Sequence, residues 1–142
     1  MPKIKTISSL LAATFLLLPS MAAAQDDLNG ANTAWILTST ALVLFMTLPG
    51  LSLFYAGLVR TKNVLSVLMQ CFSIAVAISI LWLLVGYSIA FGPSESAWWG
   101  GLGKVLFAGI DINSMSGDIP ETVFAAFQMT FAIITPALIV GA

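Results

Sequence analysis

Three stretches free of charged side chains, Thr33 to Gly57, Val64 to Phe91 and Thr122 to Ala142, constrain this chain more than any other feature. A helix that crosses the roughly 30 Å hydrocarbon core of a bilayer needs about 20 apolar residues, and each stretch reaches that length. Within hydrocarbon every backbone N–H and C=O must find a partner inside the protein, which leaves the helix as the solution for a segment of this kind. The expectation is an all-α membrane protein with helices over about 33–57, 64–91 and 121–142. Composition agrees: 59% of the residues are hydrophobic and 8% charged, whereas soluble domains are about one quarter charged. The net charge of −1, with no basic cluster, gives no electrostatic footprint for nucleic acid.

Residues 1–24 have the pattern of a secretory signal. Lys3 and Lys5 form the positive end, Ile7 to Leu18 a short apolar core, and Ala22, Ala23 and Ala24 a small-residue cleavage site before Gln25. The remaining domain is then 25–142. Arg60 and Lys62 follow the first apolar stretch with no acid beside them, the mark of a cytoplasmic loop, so the amino end is expected outside the cytoplasm. The second stretch returns outward, with Trp82 and Tyr87 placed where amphipathic rings settle among lipid headgroups. From Gly92 to Glu121 the acids Glu95, Asp111, Asp118 and Glu121 face one base, Lys104, which fits an outside loop. Trp98 and Trp99, ahead of Gly100 and Gly101, read as a packing anchor or as a pair laid on the membrane surface. Pro49 inside the first stretch predicts a bend in a helix that packs against others. Asn63 and Gln70 are expected to point into the protein, because an amide facing lipid without a partner is costly. Ala142 closes the third stretch with no basic flank, as in a piece of a longer protein.

The chemistry-bearing residues are few. There is no histidine and one cysteine, Cys71, so neither a metal site nor a disulfide framework is expected. No serine or cysteine lies beside a base, and no glycine-rich phosphate loop occurs, so neither enzyme activity nor a cofactor is expected. Phe124, Phe127 and Phe131 recur at spacings of three and four and share a helix face, with Gln128 beside it. Such a stripe serves packing, or it offers ring faces to a small cation within about 6 Å. Phe131, ten residues beyond Glu121, would lie roughly 15 Å down the helix. Phe54 and Tyr55 close the first stretch, and a buried phenol there needs a partner in a neighbouring helix or in pore water.

The run ALVLFMTLPGLSLFYAGLVRTKN, Ala41 to Asn63, resembles the first-helix signature of the ammonium transporter (Amt/Mep/Rh) family, in its bacterial Amt branch. The likeness continues through VLSVLMQCF and LWLLVGYSIAFG to AFQMTFAIITPALIVGA, and so covers nearly all of the chain after residue 24. The resemblance implies an eleven-helix, outside-amino-end protomer in a homotrimer, sited in the inner membrane of a two-membrane envelope. Each protomer of the family encloses a narrow apolar pore that receives ammonium and passes ammonia. By its place in AFQMTF, Phe131 corresponds to the family's first gate phenylalanine and Phe127 to a vestibule wall one turn above. Phe54 and Tyr55 correspond to the pore-facing aromatic pair, and Gln128 joins them as a pore-lining candidate. The family's second gate phenylalanine and its two pore histidines belong to later helices and have no counterpart among these residues. A PII-type regulatory protein is a further expected partner, for which only the Arg60 to Lys62 loop is present. The rival expectation is a three-helix membrane module that assembles or interacts without transporting.

Overall fold

A computed structural model describes residues 28–94, 96 and 98–140. The expected signal segment, 1–24, and the start at Gln25 lie outside the described residues. Three continuous helical spans, Gly30–Leu58, Thr61–Phe91 and Glu121–Val140, are long and apolar enough to cross a membrane. At about 1.5 Å per residue they measure roughly 43, 46 and 30 Å.

The first span comprises α1 (Gly30–Phe45), a π-helical turn (Met46–Leu51) and α2 (Ser52–Leu58). Pro49 lies in the π turn. Its nitrogen has no hydrogen to donate and its ring crowds the carbonyl four residues back, and a wider turn absorbs both effects. After a single 3₁₀ turn at Thr61–Asn63, the second span runs through α3 (Val64–Leu81), a second π turn (Trp82–Gly86) and α4 (Tyr87–Phe91). The third span is the single helix α5 (Glu121–Val140). Between α4 and α5 lie a 3₁₀ turn at Val105–Phe107 and a two-stranded hairpin, β1 (Met115–Ser116) and β2 (Ile119–Pro120). The pairs are Ser116 with Ile119 and Met115 with Pro120. This two-residue turn needs a left-handed residue, which Gly117 supplies at φ 65°.

The first and third spans run parallel, joined at both ends. Asn29 caps α1 by accepting from the backbone of Ala31 and Asn32 at 3.0 and 3.1 Å, and its own N–H donates to Asp118 O at 2.9 Å. Asn32 Nδ2 also donates to the Asp118 carboxylate. At the other end, the Tyr55 hydroxyl donates to Leu138 O at 3.3 Å. The second span packs antiparallel against both.

The interface is made mostly of small side chains, with Ile133 and Tyr87 the large exceptions. Ala56, Cys71, Ala75, Ala125 and Ala137 are buried, as are Thr47, Ser52 and Thr130. Lipid tails give helices no hydrophobic reason to associate, so close backbone approach across small residues supplies the packing energy. The hydroxyls are satisfied within their own helices: Thr47 donates to Val43 O at 3.1 Å, Ser52 to Leu48 O, and Thr130 to Phe127 O at 2.7 Å. Most large apolar side chains point outward instead, including Trp35, Phe45, Leu65 and Ile139.

Two expectations need correction. Trp82 and Tyr87 are not headgroup anchors: Tyr87 is buried, and both donate hydrogen bonds to the third span. A rule based on position along a span does not register that another helix crosses that level. Trp98 is not a packing anchor, being 95% exposed. Asn63 and Gln70 are exposed among the described residues; their face of the second span is left open by the other two, as expected of polar groups that would point into a larger bundle.

Candidate functional site

The third span carries two faces with different roles. Ala125, Thr130, Ile133 and Ala137 are buried against the other spans. At 100° per residue, Phe127 and Phe131 project roughly 130° round the helix from that buried face. Phe131 remains 42% exposed, and the two rings meet edge to face with centroids 5.1 Å apart. Phe124, the third member of the stripe, differs from them. Its ring packs edge to face on Phe91, centroids 5.0 Å apart, and so joins the second span to the third. The periodic stripe therefore divides into one ring packed on the second span, Phe124, and a pair of which Phe131 is exposed and Phe127 half-buried. Gln128 is half-buried on the shoulder of the same face.

Phe54 and Tyr55 form a second aromatic pair, with centroids 5.6 Å apart and planes tilted by 54°. Phe54 is 61% exposed. The Tyr55 hydroxyl is bound at Leu138, seven residues and roughly 10 Å along the helix from Phe131. The two pairs thus occupy different depths, and the structure does not bring them into contact.

Above the Phe127–Phe131 pair lies a polar cluster that spacing could not reveal. Glu121, the first residue of α5, is buried; it accepts the Tyr87 hydroxyl at 2.7 Å and pairs with Lys104 through the same Oε1 atom. The Lys104 ammonium also lies 5.7 Å from the centre of the Tyr87 ring. Ser88, fully buried, donates to Gly101 O at 3.0 Å and accepts from Lys104 N at 2.9 Å. Gly92 and Gly100 bring the connection onto the end of the second span, where Gly100 N donates to Ile89 O at 2.6 Å. Phe107 completes the cap with an edge-to-face contact on Tyr87, centroids 5.1 Å apart. To place that ring, both Leu106 and Phe107 take left-handed backbone conformations, φ 54° and 58°, which cost roughly 1–2 kcal/mol each for side chains of this kind. The one sequence signal for this cluster was an acid at the first position of an apolar run, a place where a helix dipole favours it.

Among the described residues no three His, Cys, Asp or Glu side chains come together as a metal site would need. Chemically, the arrangement offers one exposed and one half-buried ring, a half-buried amide and a closed ion pair above them.

Three helices of spanning length, capped at one end and carrying partly exposed aromatic pairs on two of them, define a multi-pass α-helical membrane protein. Sequence comparison narrows the class. The profile of the Ammonium Transporter Family matches residues 34–142, and the chain belongs to that family. It is 46% identical over 131 residues to an ammonium transporter of Mycobacterium tuberculosis (strain H37Rv), a match covering 80% of this chain and 27% of the relative. It is 47% identical over 118 residues to a putative ammonium transporter of Methanothermobacter thermautotrophicus, covering 81% of this chain and 29% of that one. With an ammonium transporter of Aquifex aeolicus it shares 44% identity over 121 residues, covering 84% and 28%. The chain thus spans less than a third of the length of these relatives.

Proposed function

We propose that these residues form the amino-terminal part of a transporter that moves ammonium across the inner membrane, with the amino end on the periplasmic side after signal cleavage. The observation that carries the reading is the Phe127–Phe131 pair, which is turned away from the packing interface of its own three spans. Further spans of a longer protein would close a pore over that face. Ring faces at the entrance attract a cation that has lost part of its water. An apolar passage below them imposes a large desolvation penalty on any ion and a small one on neutral ammonia. In this reading Phe131 is the gate and Phe127 the wall above it; Phe54, Tyr55 and Gln128 line the path. The full-length protein would act as a homotrimer, and the Arg60 to Lys62 loop would contribute to a face for a PII-type regulator.

The test is ammonium uptake by cells expressing the full-length protein, with and without Phe131→Ala. Altered uptake or selectivity with unchanged oligomeric assembly supports the gate. Loss of assembly, or uptake equal to the unsubstituted protein, removes it.

A further inference from the structure

The second π turn places two donors where an α-helix would separate them. Residues five apart in an α-helix point roughly 140° away from one another. Within the turn, the Tyr87 backbone N–H donates to Trp82 O, a bond that spans five residues and brings them round to a common side. Trp82 Nε1 then donates to Ala125 O at 3.1 Å, and the Tyr87 hydroxyl to Glu121 Oε1 at 2.7 Å. Glu121 and Ala125 are one turn apart on α5. Two donors one π turn apart therefore grip two acceptors one α turn apart, and the Trp82 and Tyr87 rings brace each other edge to face, centroids 6.0 Å apart. A single contact would leave the helix free to rotate about it. Two contacts at successive turns fix both its rotation and its axial position.

Phe127 lies two residues beyond Ala125 and Phe131 six, so the rotation of α5 sets where their rings point. We infer that Trp82 and Tyr87 are positioning residues that hold the Phe127–Phe131 pair in register for the substrate path. The inference rests on the gate reading of that pair. Among the described residues neither donor's ring packs on the rings of the pair; each acts through the backbone or the first residue of α5.

The experiment uses the full-length protein with Trp82→Phe, Tyr87→Phe and both together, each change removing a donor while keeping an aromatic ring. In one arm the KM and maximal rate of ammonium uptake are measured with Phe131 intact. In the other, Phe131→Cys is introduced into a protein freed of other reactive thiols, Cys71→Ala included, and its modification by a membrane-impermeant methanethiosulfonate is timed. The inference expects KM to rise about threefold to tenfold in the double variant, the scale of one or two interhelical hydrogen bonds. The maximal rate per inserted protein should stay within about twofold, and the thiol rate at position 131 should change by a similar factor to KM. Unchanged KM and unchanged thiol rate would overturn it. A changed thiol rate in a protein that transports no ammonium, even unsubstituted, would uphold the register role and sink the transport reading instead. Should the double variant fail to reach the membrane, the single variants carry the same comparison.

Discussion

The Tyr87 hydroxyl donates to Glu121 Oε1 at 2.7 Å across 34 residues of chain. That bond joins the end of the second span to the first residue of the third, and Lys104 closes on the same oxygen from the connection between them. The carboxylate is the hub, since both other groups lose their partner when it goes.

The first prediction follows from this asymmetry. Glu121→Ala strands the buried phenol as well as the ammonium, whereas Lys104→Ala leaves the Tyr87–Glu121 bond in place. The side chain of Lys104 is 26% exposed and can reach water. Glu121→Ala should therefore lower stability by about 1–3 kcal/mol, the range for a buried polar group left without a partner, and Lys104→Ala by less. Heat-induced aggregation of the detergent-solubilised full-length protein measures the order; the reverse order would refute the hub.

Gly92→Ala should fail where Gly57→Ala succeeds. A Cβ on Gly92 would lie 2.3 Å from Gly100 O and 2.4 Å from Ser88 O, both backbone atoms, while one on Gly57 meets nothing within 4 Å. The membrane-inserted amount of each variant, read by immunoblot, is expected to fall severalfold for Gly92→Ala and to hold for Gly57→Ala. Equal amounts would mean that the connection seats differently on the second span.

Ala137 is 1% exposed at the interface of the spans, and Ile139, two residues on, is 80% exposed. Enlarging the first to Leu forces the backbones apart and should destabilise by about 1–3 kcal/mol. Ile139→Leu should be close to neutral. Thermal midpoints of the two variants in detergent decide between this interface and one formed by the opposite face of α5.

The spans were legible because charge-free length is an unambiguous signal, and Pro49 announced its distortion because its chemistry is local. The Phe124, Phe127 and Phe131 stripe was legible as a face, yet periodicity could not tell that Phe124 meets Phe91 while the other two meet each other and leave Phe131 exposed. Glu121, Lys104 and Ser88 were hidden for a different reason. Their partners lie across a connection of nearly thirty residues, and only the fold brings them together. Trp82 and Tyr87 were read from their depth, when their role depends on a helix crossing at that depth.

Gln70 lies exposed in a groove of about 440 Å³ with Ser66, Ser73 and Val140. In the 142-residue chain expressed alone this amide faces lipid, so Gln70→Leu should raise the amount recovered in membranes. In the full-length protein, whose further spans are proposed to cover such faces, the same change should bring no gain. A gain in both would place Gln70 on the lipid surface of the full-length protein.

The bond between Asn32 and Asp118 joins residues 86 positions apart. Translation proceeds at about 5–20 residues per second, so Asn32 exists for roughly 4–17 seconds before the residue that fastens it has been made. Of the described helices, the second span alone is complete before that point, and the first can pack only against it until the third is made. Order of synthesis therefore bears on assembly as much as affinity does: the first two spans can pair antiparallel before the third is made, and of these three it is the third that docks on a surface formed without it.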